Sequence, residues 1–182
     1  GVQIGGKPLW ADHVVLAPGA WAADLGLMLG FKLPVHPVKG QIISVKSSSL
    51  KIEHIVFWDH AFIVSKGNGS IWIGATQENV GFDKKPTTDG RRYLLNQAYS
   101  LVPSIEQATL GKTWAGLRPG SPDDMPILGS VPGWDGITLA IGHFRNGILL
   151  APITGQLIAE TIVSGDVTSL HPFSIRRFGK TQ

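Results

Sequence analysis

The chain reads as a mixed α/β fold in which an antiparallel sheet interrupts an α/β layer, and three observations carry that reading. Residues 12–21 form a continuous apolar run ending in Pro18-Gly19-Ala20-Trp21, the pattern of a buried parallel strand feeding a turn. Residues 39–45, 55–64 and 71–76 are rich in β-branched and aromatic side chains, and Lys66-Gly67-Asn68-Gly69-Ser70 supplies the turn that makes neighbours antiparallel. Residues 137–141 then form a second buried strand that delivers Gly142-His143 into a long apolar helix. The predicted division is therefore a first segment over 1–35, an inserted antiparallel sheet over 36–112, and a return to the first layer over 113–182.

Each element has a local reason. Residues 1–8 have the character of a β-hairpin, and a short helix is expected over 21–29. Thr87 or Thr88 can cap a helix running to Leu101, with Tyr93, Leu94, Ala98 and Leu101 on one face and Val102-Pro103 as its stop. Strands are expected over 110–117 and 126–129. The last helix begins near Ile148, with Leu150, Ile153, Leu157, Ile158 and Ile162 as its apolar stripe. Ala151 and Gly155, four apart, would admit a close neighbour, and Ser164-Gly165-Asp166 ends the helix.

Composition narrows the function classes. An apolar content of 43% over 182 residues is ample for a packed core, and 23 Gly and 12 Pro scattered between apolar runs signal turns rather than disorder. The absence of cysteine removes disulfides, thiolate metal sites and Cys nucleophiles, is compatible with a reducing cytoplasm, and leaves no metal site predicted. A net charge of +3 is modest, and Arg176-Arg177-Lys180 reads as a solvated tail rather than a nucleic-acid patch. The longest apolar stretch is interrupted by Pro152, Thr154, Gln156 and Glu160, so no membrane span of roughly 20 residues is expected. The sequence opens without Met or a signal pattern, and it contains no Gly-x-Gly-x-x-Gly dinucleotide fingerprint. It is expected to be the later part of a longer protein.

Two segments carry chemistry. In Gly142-His143-Phe144-Arg145-Asn146-Gly147-Ile148-Leu149-Leu150-Ala151-Pro152 a strand runs into a helix, whose first N–H groups and positive dipole end can hold an anion beside Arg145. Read alone, it fits an ordinary strand-turn-helix with a surface Arg equally well. In Trp114-Ala115-Gly116-Leu117-Arg118-Pro119-Gly120, Arg118 sits at a strand end before a turn, suited to grip a carboxylate with its planar fork. A structural salt bridge, with Asp123 or Asp124 as partner, is the competing reading.

These two segments and Val14-Val15-Leu16-Ala17-Pro18-Gly19-Ala20-Trp21 occur in the order and spacing of the D-amino acid oxidase superfamily of FAD-dependent amine oxidoreductases. The chain resembles its glycine oxidase branch most, with Pro37-Val38-Lys39-Gly40-Gln41 and Gly74-Ala75-Thr76 fitting the same alignment. The resemblance covers about residues 12–178. It implies a substrate-binding antiparallel sheet domain inserted into the C-terminal part of a Rossmann-like FAD-binding domain whose N-terminal part is missing here.

By the same resemblance, Arg118 holds the substrate carboxylate and Arg145 lies near substrate and flavin. His143, Phe144, Arg145, Asn146, Gly147, Ile148 and Leu149 contact the isoalloxazine, with Ala17 and Gly19 at the neighbouring strand end. His60 and Phe62 lie on the strand facing the flavin, and Gln77 at the pocket edge, although for His60 alone a structural histidine is the stronger reading. The family tends to place Tyr where Phe62 stands, and the glycine oxidase branch Met where Gln77 stands, so substrate preference stays open. The implied activity is oxidative deamination of glycine or a small D-amino acid by FAD and dioxygen, giving hydrogen peroxide, in a cytoplasmic enzyme of thiamine biosynthesis that can form homo-oligomers. The implied partners are thus a small amino acid, dioxygen and the N-terminal FAD-binding half, with FAD binding incomplete in this chain. A dehydrogenase passing electrons to another acceptor and a non-catalytic module are the alternatives. A cysteine-linked flavin of the sarcosine oxidase kind does not fit a chain without cysteine.

Overall fold

The computed structural model describes residues 1–59 and 61–179, and the chain divides into two compact units, Gly1–Pro37 with Arg118–Gln182, and Val38–Leu117.

The first unit opens with the antiparallel hairpin β1 (Val2–Ile4) and β2 (Lys7–Leu9). Its main sheet orders β3 (Val14–Leu16), β10 (Ile137–Ile141) and β9 (Ile127–Ser130), with β10 parallel to β3 and antiparallel to β9. A short 3₁₀ turn, Gly19–Trp21, leads into α1 (Ala22–Met28), as the apolar run followed by Pro-Gly requires. Ala22, Leu33, Val35, Ile127, Val131, Leu139, Ile141 and Ile175 form the core of this unit. Each such side chain taken out of water contributes roughly 1.5–3 kcal/mol if as large as Leu or Ile.

α3 (Gly147–Ser164) ends at Gly165, whose φ of 76° is the left-handed C-terminal stop that glycine adopts without a Cβ penalty. Its expected five-residue stripe is only partly used. Leu157 and Ile158 pack with Leu128, Ala140, Leu170 and Phe173, whereas Ile153 and Ile162 are 46% and 36% exposed. The reason is that a single narrow side of α3 meets the sheet and the 3₁₀ segment Thr168–Phe173. At 18 residues and a mean hydropathy of 1.4, α3 is long and apolar enough to cross a membrane by length and composition alone. Its Ile158 side is nevertheless committed to protein, and Thr154, Gln156 and Glu160 interrupt its apolarity.

The second unit is a five-stranded antiparallel sheet under one helix. The strand order is β5 (Val56–Trp58), β6 (Ala61–Ser65), β7 (Ser70–Gly74), β4 (His36–Lys46) and β8 (Thr109–Gly120), the outer parts of β4 and β8 belonging to the first unit. The single β-rich stretch expected over 55–64 is in fact a hairpin, with Trp58 paired to Ala61 and Asp59 at φ 50°. No glycine marks this reversal, so the sequence does not flag it as a tight turn. α2 (Thr88–Leu101) is capped by Thr87, whose hydroxyl accepts the Gly90 N–H at 3.1 Å. It lays Leu94 and Ala98 on Ile43, Val45, Ile63, Ile71 and Ile73, while Tyr93, expected on that face, is 42% exposed.

Candidate functional site

Parallel pairing of β3 with β10 puts the carboxyl ends of both strands at one edge of their sheet, the side where ligands bind in such layers. Ala17 and Gly19 follow β3 there, and Gly142-His143-Phe144-Arg145-Asn146 follows β10. The turn is built from unusual backbone. Gly142 has φ 73° and Phe144 φ 47°, a left-handed value that costs a residue with a Cβ roughly 1 kcal/mol and so must be held by its surroundings. Three contacts hold it. The Phe144 N–H donates to Pro119 O at 2.9 Å, Asn146 N–H to His143 O at 3.0 Å, and the His143 Nε2 lies 3.0 Å from Thr154 Oγ1. Burial holds the His143 imidazole below its usual pKa, favouring the neutral ring.

The Pro119 contact joins the turn to the end of β8, where Arg118 stands half-buried. Burial first, and the charge of Arg145 second, push the Arg118 guanidinium below its ordinary value, so the two arginines share one electrostatic field. Close to both, α3 begins at Gly147 after Asn146, which makes no side-chain cap, and no acidic residue occupies the first turn. Ile148 and Leu149 are 96% and 78% exposed and leave that helix end uncovered within the unit. Two guanidinium groups and a helix N-terminus together favour an anion.

Asp123 does not serve Arg118. Both its oxygens are engaged by Arg177, Nε to Oδ2 at 2.7 Å and Nη2 to Oδ1 at 3.0 Å, and this hydrogen-bonded pair keeps the Asp123 carboxyl below its usual range. Arg177 also donates to Met125 O at 3.0 Å and Phe173 O at 2.7 Å. The C-terminal arginine expected as a solvated tail is thus a clasp between the 3₁₀ segment Ile175–Phe178 and the loop after β8. Asp124 is exposed, and Lys180 lies outside the described residues.

In the second unit Phe62 lies on β6 directly across from Gly74 of β7. A Cβ at Gly74 would stand 2.9 Å from Phe62 Cζ and from Ile42 Cγ1, so the missing side chain is the space the ring occupies. Gln77 is exposed and lines a cavity of about 490 Å³ with Thr76, Glu78, Thr87, Asp89 and Tyr93. His60 lies outside the described residues.

Beside this cavity runs a buried polar brace that sequence reading did not assign. Lys39, 1% exposed, meets Glu78 at 3.0 Å. Gln41, fully buried, donates to Glu78 Oε1 at 2.7 Å and Thr87 Oγ1 at 2.9 Å and accepts the Thr87 N–H at 2.7 Å. Thr76 donates to Glu78 as well. Burial opposes the ionised Glu78, but the hydrogen bonds from Thr76, Gln41 and Lys39 and the Lys39 charge outweigh it and hold its carboxyl below the usual range. The available signal was a Lys and a Gln inside an otherwise apolar strand, with a Thr and Glu just past the end of β7.

A profile of the family described as FAD dependent oxidoreductase matches residues 1–161. The glycine oxidase of Pseudomonas putida is 43% identical over 166 residues, covering 91% of this chain and 46% of that protein. A bifunctional protein ThiO/ThiG of Trichormus variabilis is 43% identical over 167 residues, which are 90% of this chain and 25% of that one. The crystal structure of glycine oxidase from Geobacillus kaustophilus superimposes with a TM-score of 0.85 at 41% identity, covering 91% of this chain and 45% of the other. The chain thus spans about half the length of the glycine oxidases it matches.

Proposed function

This chain belongs to the family of FAD dependent oxidoreductases, and from that premise we propose that it is the carboxyl-terminal part of a glycine oxidase-like enzyme that oxidatively deaminates glycine or a small D-amino acid. The balance is one amino acid, one dioxygen and one water giving an oxo acid, ammonia and hydrogen peroxide. The observation that carries the reading is Arg118 held beside Arg145 and the open N-terminus of α3, because the substrate and the reduced cofactor both present negative charge. Its likeness to glycine oxidases supports the substrate class, and its likeness to a ThiO/ThiG protein supports a place in thiamine biosynthesis. The lack of cysteine is consistent with a cytoplasmic enzyme.

The residues present fit a flavin. An 18-residue helix without a side-chain cap or a first-turn carboxylate offers the N–H groups of Gly147, Ile148 and Leu149 to an anionic ring edge, and Gly142 and Gly147 permit close approach. His143, Phe144, Arg145, Asn146, Gly147, Ile148 and Leu149, with Ala17 and Gly19, are the residues that would hold it. When bound, FAD supplies the two-electron redox chemistry. The chain's own side chains orient the reaction. Arg118 grips the carboxylate in a bidentate fork and so fixes the direction of the α C–H, and Arg145 adds positive charge near it. No side chain is required as a general base. In the second unit, Phe62 presents a ring without a hydroxyl and Gln77 an amide, so the substrate preference of this chain is its own.

In the full-length enzyme, Arg118→Leu is expected to raise the KM for glycine about 100-fold through loss of the charge-assisted pair. An unchanged KM would remove Arg118 from this role. Peroxide formed from glycine by the flavin-containing wild type supports the oxidase; turnover with a quinone but not dioxygen makes it a dehydrogenase, and a protein without flavin overturns the reading. The 182-residue chain by itself is expected to bind FAD weakly or not at all, and a stoichiometric flavin spectrum would contradict that.

A further inference from the structure

Thr154 stands where a helix of this kind would ordinarily place an aliphatic residue. It is 8% exposed on an α3 whose neighbouring Ile153 is 46% exposed, so a scarce buried position on this helix carries a hydroxyl. That hydroxyl faces the His143 Nε2 at 3.0 Å, reaching back eleven residues from the second turn of α3 to the turn before it. His143 in turn carries the carbonyl that accepts the Asn146 N–H, and next to it Phe144 holds a left-handed φ of 47° while donating to Pro119. A side chain with a Cβ stays in that region only when its surroundings fix it. Arg145 is the following residue. The path from Thr154 to Arg145 therefore runs through one imidazole and one strained turn, with Arg118 a single residue from the Pro119 anchor.

We propose that Thr154 is a positioning residue: through His143 it holds the Gly142–Asn146 turn in the conformation that sets Arg145 beside Arg118. The inference rests on the reading of this edge as a carboxylate site. A neutral imidazole suits the role, since burial disfavours its charged form and the Thr hydroxyl can donate to or accept from either tautomer. Replacing the hydroxyl by a methyl keeps the volume of the side chain and leaves His143 Nε2 without its partner, which frees the turn to sample other conformations. Affinity for a carboxylate then falls by the fraction of time the turn is out of place.

The test uses the full-length enzyme and acetate as a minimal carboxylate, its binding read from the perturbation of the flavin absorbance. Thr154→Val is expected to raise the acetate Kd about tenfold, with the KM for glycine rising in step and kcat staying within about threefold. Thr154→Ser is expected to stay within about twofold of wild type. A residue that only stabilises the fold would lower Tm and leave both constants alone. If Thr154→Val fails to fold, Thr154→Ala against Thr154→Ser gives the same contrast, and equal Kd values for the two overturn the proposal. A wild type that turns over glycine alongside a Thr154→Val variant with unchanged acetate Kd sinks the positioning role alone. A wild type that binds neither flavin nor acetate sinks the carboxylate site and this inference with it.

Discussion

The sheet of the second unit and the helix end of the first use polar groups in opposite ways. Around Gln41 the charges and amides are buried and paired: Lys39 with Glu78, Gln41 with Thr87 and Glu78, and Thr76 with Glu78. Around Gly147 a helix begins without a side-chain cap, close to two arginines whose charges oppose one another. The first arrangement commits buried polar groups to one another, and the second places positive charge near a helix N-terminus. Buried pairing belongs to the scaffold of the sheet, and the two like charges near a helix start form the proposed binding edge.

Three substitutions can break or sharpen that contrast. The largest loss is expected from Ile73→Ala, because Ile73 is fully buried among Ile43, Ile63, Ile71 and Leu94, and the cavity should cost about 3–4 kcal/mol in denaturant unfolding. A cost below about 1 kcal/mol would mean the sheet core collapses around the gap. Next comes Glu78→Gln, which strands the Lys39 charge in the interior. About 2–3 kcal/mol is expected, below the roughly 3–5 kcal/mol usual for a broken buried pair because Glu78 itself is 26% exposed. This pair also sets an acid limit. The Glu78 pKa is lowered by folding, so its stabilisation is complete above the unfolded value of about 4.3 and is lost as pH falls through the lower folded value. Stability of Glu78→Gln should lack that acid slope, and an identical slope in wild type and variant would assign the acid sensitivity elsewhere.

The smallest effect belongs to the clasp of the first unit. Asp123→Asn removes the charge from a partly exposed bidentate pair and should cost about 1 kcal/mol, again only above the acid range, since Asp123 is likewise held low by Arg177. Limited proteolysis after Phe173 should accelerate with it. Unchanged cleavage would show that Phe178 and Ile175, packed in the core, hold the segment without the clasp.

Much of the fold was legible because periodicity and punctuation agree. Residues 137–141 match β10, Leu101 as the end of α2 follows from Val102-Pro103, and of the two threonines that could cap this helix the structure uses Thr87. The hairpin reversal at Asp59 was not legible, since no glycine in residues 55–64 marks it. Nor was the burial of α3, because an apolar stripe says which residues could be covered and not how many neighbours are there to cover them. For the candidate site, position alone left Arg118 and Arg145 open between a structural and a binding role, and the resemblance supplied the roles proposed for them. The pairing of Asp123 with Arg177 across 54 residues could not be read, because a contact in space leaves no local mark.

Ser44 is paired with Trp72 across β4 and β7, and its small side chain leaves room for Trp72 and Trp114 to meet edge to face at 4.9 Å, with Lys66 over Trp72 at 4.3 Å. Two indoles at that distance couple their electronic transitions, and the coupling exists only while β7, β4 and β8 lie side by side. The molecule thus carries its own optical gauge: a circular dichroism couplet from this pair reports the integrity of the second unit alone, so that melting of one unit can be followed without the signal of the other.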